Sequence, residues 1–211
     1  MSRSSPYYFK ADEEQVFLKA CEESTRDHCI FKTFFDSGMT ISELVGDKRT
    51  GYRGVYVEDI DFDDQEVRVF GKGQKERVVD VSREALEEIL KWLGGRRSGK
   101  VFDITPRMVQ KLARKYSKKA GLPDFFRCKK CGQRQIPENM KACPKCGNTK
   151  LMLESRWSPH KARHTHITKI IYKTGDIAAA LEQTGLKSLS IPITKSPDDK
   201  KSVMQKVFGE S

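Results

Sequence analysis

Apolar residues recur at helical spacing from Ala11 to Ser37, where Val16, Phe17, Ala20 and Cys21 are followed by Cys29, Ile30, Phe31, Phe34 and Phe35. A glycine turn leads into MTISELVG, a second, short helical piece. Three extended pieces come next. GVYVEDIDF, EVRVFGKG and KERVVDVS carry the β-branched and aromatic residues of strands, joined by DFDD and GKGQK turns, and predict a small antiparallel sheet. Ser82 to Leu93 is amphipathic with Ser82 as its N-cap. GGRRSGK reads as a loop and VFDI as a short apolar element. Thr105 then opens a helix to Ala120 with Met108, Leu112 and Tyr116 on one side. Further on, SPHKARHTHIT (Ser158–Thr168) predicts a turn and a helix whose apolar face is Ile167, Ile170 and Ile171. DIAAALEQTG predicts a helix stopped by Gly185, and PDDKKSVMQKVFG a last one burying Val203, Met204, Val207 and Phe208. Helices around one small sheet make the class α+β, and 211 residues suffice for one well-buried core.

Charge adds a partner. The chain has a net charge of +11, with 33% charged residues against 37% hydrophobic ones. That balance describes a heavily charged globular surface that favours an anionic partner, nucleic acid foremost. The distribution is more telling than the total. In TPRMVQKLARKYSKKA, Arg107, Lys111, Arg114, Lys115 and Lys118 repeat on one helical face with no acidic residue among them. A merely solvated face would mix both signs, so this face is expected to track DNA phosphates. MSRSSPYYFK lacks a secretory apolar region and is expected to be a loose tail, residues 1–10. No run nears the roughly 18 apolar residues of a membrane span. A cytoplasmic, nucleoid-associated protein is expected.

The cysteines add a metal. Cys128, Cys131, Cys143 and Cys146 form two Cys-x-x-Cys-Gly knuckles separated by eleven residues. Two residues between each pair let both thiolates reach one tetrahedral ion, and the gap suits a hairpin closing on it. Structural Zn²⁺ in a ribbon spanning 126–156 is the reading, with two disulfides or redox pairs as the rival. Four thiolates leave no position for a reactive water, so the ribbon would bind DNA or protein. Lys129, Lys130, Arg134, Lys141 and Lys145 are placed to meet phosphates. Cys21 and Cys29 read as buried small hydrophobes.

His160 and Arg163, one turn apart on the SPHKARHTHIT helix, ask for an anion. Several segments taken in order suggest which. FFDSGMTISELV resembles the TGLRISEL box of tyrosine recombinases, the phage-integrase family. VEDIDFDDQEVRVFGKGQKERVVDVS is similar to that family's three-stranded sheet with its Gly-Lys-Gly turn. SPHKARHTHIT resembles its PHxLRHTxAT box and LEQTGLKSLSIPITK its LGHSSxxTTxxY box. The resemblance implies a mainly helical recombinase catalytic-domain fold over 11–125 and 157–211. On this resemblance the zinc ribbon is expected as an insertion at 126–156, without the family's N-terminal core-binding domain.

What the resemblance implies about chemistry is mixed. In that family a tyrosine attacks the scissile phosphate, two arginines neutralise its oxygens, a turn lysine protonates the leaving 5′-oxygen, and histidines assist. Lys72 matches the lysine, and His160 and Arg163 match the third box. Thr40 stands where the first arginine belongs, Leu186 where a histidine belongs, and Lys195 where the tyrosine belongs. Losing one transition-state donor typically costs about 10²–10³ in rate, and a lysine cannot form the phosphotyrosyl link. Arg49 and Arg53, with Tyr52 between, are candidates to refill the first arginine's place. Tyr172 is the candidate replacement nucleophile, though a packing role suits it better, as it does His164 and His166. The expectation is a DNA-binding accessory or regulatory protein without cleavage. The alternatives are a divergent active integrase using Tyr172 or a partner's tyrosine, and an interaction module using the ribbon or C-terminal helix for a protein partner or self-association.

Overall fold

The computed structural model describes residues 8–71, 75–122 and 124–185. Lys72, Leu186, Lys195 and the apolar set Val203, Met204, Val207 and Phe208 lie outside them. The periodic stretch at the start is divided into α1 (Ala11–Cys21) and α2 (Thr25–Ser37), because Ser24 breaks the run and caps α2 by accepting the Asp27 amide. Gly38 ends α2 in the left-handed region at φ 61°, a conformation glycine adopts without the Cβ penalty. α3 (Ile41–Val45) follows at once.

The sheet is smaller than its sequence pattern. β1 is reduced to Ile60–Asp61 after a 3-10 turn at Val57–Asp59, while β2 (Glu66–Phe70) and β3 (Glu76–Asp80) form the hairpin. All pairing is antiparallel in the order β1-β2-β3, with Val67 opposite Val79 and Val69 opposite Arg77. Val67, Val69, Val79 and Val81 face inward, the period-2 pattern of a sheet wet on one side. α4 (Arg83–Leu93) and α5 (Pro106–Lys119) are capped by Ser82 and Thr105, as their sequences predict. On α5 the buried stripe is Val109, Ala113 and Tyr116, and Met108 is exposed, one residue off the expected face.

β4 (Phe125–Cys128) and β5 (Leu151–Glu154) form a separate two-stranded sheet that carries the four-cysteine segment. α6 (Pro159–Thr174), capped by Ser158, and α7 (Ile177–Thr184), ended by Gly185, complete the described chain. On α6 the buried residues include Ala162, Thr165, His166 and Ile167, whereas Ile170 and Ile171 are half-buried.

The core is aromatic. Phe17 meets Phe31 edge-on at 5.1 Å between centroids, and Phe31 in turn meets Tyr116 at 6.0 Å and Trp157 at 5.5 Å. Such edge-to-face pairs add to the area they bury. Tyr116 spends its hydroxyl on Asp27, donating at 2.7 Å. Phe9 belongs to this core too. It is buried against Phe35, and its amide donates to Thr165 Oγ1 at 2.9 Å. The expectation of a loose tail reaching Lys10 therefore fails at residues 9 and 10, because Phe9 covers apolar surface and Lys10 is the N-cap position of α1.

Candidate nucleic-acid interface and metal centre

Arg163 sits where three element ends meet. Its Nη1 donates to the carbonyl of Gly38 at 3.1 Å, its Nη2 to the carbonyl of Thr184, and Nη1 lies 4.0 Å from Glu43 Oε2. Those two carbonyls close α2 and α7, and a helix C-terminus carries partial negative charge that suits a cation. Burial pushes the Arg163 pKa down, Glu43 opposes that shift, and the charge of Arg77 adds to it. Only two of its five N–H donors are taken by these carbonyls.

Glu43 organises the cluster. Thr40 and Glu43 form a reciprocal capping box: the Thr40 amide donates to Glu43 Oε2 at 2.7 Å, and the Glu43 amide to Thr40 Oγ1 at 3.2 Å. The same Oε2 accepts from Arg77 Nη2 at 3.0 Å, while Arg77 Nη1 donates to the Gln183 carbonyl at 2.6 Å. Arg77 and Glu43 have no place in the set read from sequence, yet both left a signal. T-I-S-E has the capping-box spacing. Arg77 shares the inward face of its strand with Val79 and Val81, and a charge in such a position must be paired. The end of β2 lies close by. A Cβ built on Gly71 would lie 3.9 Å from Glu43 Oε1.

The other candidates divide. His160 is exposed at the start of α6 while Arg163 is largely covered, so the two do not share one environment despite their spacing. His164 is half-buried, and burial lowers its pKa, with His160 and Arg163 adding to the effect. His166 is buried, its Nδ1 is 3.2 Å from the Phe35 carbonyl, and burial pushes its pKa down to about 4. It is a neutral packing group. Arg53 does not refill the Thr40 position, because it is paired with Asp59 and lies over the Phe70 ring at 4.0 Å. Arg49 is 87% exposed, 3.9 Å from Asp47, and Tyr52 pairs across a tight loop with Asp47. Tyr172 follows Arg163 by nine residues, two and a half helical turns, and so faces the other way. It lines a cavity of about 290 Å³ with Phe9, Glu14, Thr165 and Lys169. Arg107, Lys111, Arg114, Lys115 and Lys118 are all exposed on α5, forming the uninterrupted basic face that the sequence predicts.

The cysteines do converge. The Sγ atoms of Cys128, Cys131, Cys143 and Cys146 all lie within 4.8 Å of one another, with Cys128–Cys146 and Cys131–Cys143 each at 3.6 Å. Thiolates at about 2.3 Å from a tetrahedral ion stand roughly 3.8 Å apart, whereas a disulfide needs about 2.05 Å. Lys130 N and Asn148 Nδ2 point at Cys128 Sγ from 3.4 and 3.5 Å. Four sulfur donors at this spacing, with N–H groups aimed at them, fit a closed metal site. The ribbon is fastened to α6: Lys161 Nζ donates to the Ser155 carbonyl at 2.5 Å and lies 4.8 Å from the Phe125 ring centroid. Burial pushes the Lys161 pKa down to about 8.

Residues 8–194 match the family described as the phage integrase family. The chain belongs to that family. Among its relatives are the tyrosine recombinase XerC of Shewanella sp. (strain ANA-3), 30% identical across 78% of this chain and 46% of the relative, and the tyrosine recombinase XerC 1 of Ralstonia nicotianae, 31% identical across 80% and 48%. This integrase-family chain thus spans about half the length of the relatives it matches. Its fold is shared with the crystal structure of XerA recombinase, at TM-score 0.67, 18% identity, and 98% and 67% coverage of the two chains. XerH site-specific recombinase bound to its difH substrate in a post-cleavage complex matches at 0.60, with 18% identity over 97% and 53%. The catalytic domain of bacteriophage HP1 integrase matches at 0.53, with 14% identity over 95% and 94%. Among the described residues, no helix is long and apolar enough to cross a membrane.

Proposed function

We propose that this integrase-family domain grips duplex DNA through its phosphates without cutting it, as an accessory or regulatory factor in DNA recombination or integration, in the cytoplasm. The observation that carries the reading is the state of the first arginine's position. Thr40 is there, engaged in a capping box with Glu43, while Arg163 is kept and held in place by Gly38, Thr184 and Glu43. A retained arginine held in place, beside a position without its own arginine and in a chain with Lys195 where the family's tyrosine belongs, supports binding over phosphoryl transfer. Arg163 and Lys72 would meet the phosphate at the former cleavage site, and the exposed His160 would meet DNA beside it. Arg107, Lys111, Arg114, Lys115 and Lys118 would meet the flanking backbone. The orientation of Tyr172 away from Arg163 supports the absence of a replacement nucleophile on α6.

The four cysteines would hold Zn²⁺, which would fix the ribbon and do no chemistry on DNA. A protein-facing role for the ribbon has its own support: Met140, Met152 and Leu153 are exposed there, Leu153 to 53%.

The test is a pair of assays on the same protein. Binding to a mixed-sequence 30-bp duplex, followed by fluorescence anisotropy from 50 to 200 mM salt, is expected to weaken steeply. The slope should fall by about 0.9 for each phosphate contact removed by Arg163→Gln or Lys111→Glu. A nicked suicide substrate should give no SDS-stable protein–DNA adduct. An adduct that disappears in Tyr172→Phe would overturn the reading in favour of an active enzyme. Salt-insensitive or undetectable DNA binding, with partner-free dimerisation by light scattering, would favour the protein-interaction module.

A further inference from the structure

We propose that Arg77 supplies the second guanidinium of the phosphate site, entering from the sheet to replace the cation that the Thr40 position lacks. The inference rests on the DNA-backbone reading above and names a residue that reading does not contain.

The geometry begins with one oxygen. Glu43 Oε2 accepts from the Thr40 amide at 2.7 Å and from Arg77 Nη2 at 3.0 Å. The Arg77 charge therefore lies no farther from the Thr40 backbone than those two hydrogen bonds laid end to end. An arginine side chain growing from residue 40 is long enough to bring its charge into this same neighbourhood. Arg163 Nη1 stands 4.0 Å from that oxygen, so two guanidiniums flank one carboxylate. The local balance is one net positive charge in a poorly hydrated place: the side chains of Arg77, Arg163 and Glu43 are 19%, 13% and 8% exposed. Unbalanced charge of this kind is stabilised by an anion from outside.

Each arginine also has donors to spare. Arg77 commits one N–H to Glu43 and one to the Gln183 carbonyl. Arg163 commits two to the carbonyls of Gly38 and Thr184. A guanidinium has five, and the remainder have no hydrogen-bond acceptor among the described residues. Two planar forks flanking one carboxylate suit a phosphate's paired oxygens, which a lysine's point charge does not reproduce. The site also adjoins the end of β2, where a Cβ built on Gly71 would lie 3.9 Å from Glu43 Oε1.

A purely structural Arg77, pinning α7 to β3 through Gln183, is the competing account. The salt dependence of DNA binding separates the two. The anisotropy titration with the 30-bp duplex is run on the full chain, on Arg163→Gln, Arg77→Gln and Arg77→Lys, and on the double variant Thr40→Arg with Arg77→Gln, each well below its own Tm. Arg77→Gln is expected to reduce the salt slope by about 0.9 and weaken binding at least tenfold, and Thr40→Arg is expected to restore both. If Arg77→Gln does not fold, Arg77→Lys decides. It keeps the ion pair with Glu43, so an affinity loss of about tenfold supports the proposal and a loss within twofold overturns it. If Arg163→Gln lowers the slope and Arg77→Gln leaves it unchanged, Arg77 is structural and the DNA-backbone reading stands. If neither variant moves the slope, the DNA-backbone reading itself falls.

Discussion

Gly38 concentrates the tertiary constraints of the site, and Gly38→Ala measures them. The residue closes α2 in the left-handed region at φ 61°. A Cβ there would meet His166 Cδ2 at 2.6 Å and Thr184 Cγ2 at 3.3 Å. Two effects add. An L-residue in that conformation loses roughly 1 kcal/mol. Forcing a methyl against a buried ring costs about 1–3 kcal/mol more, because His166 is held by the Phe35 carbonyl at 3.2 Å and cannot swing aside freely. The sum, about 3 kcal/mol, corresponds to a Tm lower by roughly 6–12 °C for a chain of this size. Gly175→Ala is the matched control. Gly175 ends α6 at φ 74°, and nothing lies within 4 Å of its would-be Cβ, so only the conformational part applies, about 1 kcal/mol and roughly 2–4 °C. Both substitutions restrict the unfolded chain alike, so their difference isolates the contact. Differential scanning calorimetry of the two proteins gives the answer. Equal melting shifts would refute the close packing of α2, α6 and α7 around Gly38, and with it the account of how Arg163 is positioned.

Other expectations follow from single contacts. His166 is neutral in the folded state with a pKa of about 4, against roughly 6.5 unfolded. Above pH 6.5 neither state takes a proton there. Between 6.5 and 4 the unfolded chain does and the folded one does not, so stability falls by about 1.4 kcal/mol per pH unit. Urea titrations at pH 7.5 and 5 should show His166→Gln losing about 2 kcal/mol less than the parent across that interval, and parallel losses would place His166 elsewhere. The purified chain should carry one zinc by elemental analysis, and cobalt substitution should give the spectrum of a tetrahedral thiolate site that Cys143→Ser abolishes. Finding two disulfides and no free thiol in the ribbon by mass spectrometry would reject the metal. Tyr116→Phe strips Asp27 Oδ2 of a buried donor at 2.7 Å and should destabilise by about 1–3 kcal/mol by urea denaturation. A neutral result there would mean that water replaces the hydroxyl.

Local chemistry made much of this protein legible from its sequence. Ser82 and Thr105 cap the helices they precede, since a cap needs only its own residue and the next turn. The cysteine spacing foretold a closed cluster, since two short knuckles leave little choice of geometry. The basic face of α5 followed from period alone. Ordered motifs carried the family. What sequence could not settle are matters of which distant groups meet. The stretch GVYVEDIDF reads as a strand, but only Ile60 and Asp61 find a partner on β2, because a strand exists only where another pairs with it. Phe9 reads as tail and is core, because its burial is supplied by α1 and α2. His160 and Arg163 share a spacing but not an environment, because α2 and α7 cover one and leave the other to solvent. The pairing of Arg77 with Glu43 spans 34 residues and was decided by the packing of β3 on the Thr40 cap. A charged residue facing inward announces that it needs a partner, and only the folded chain says which.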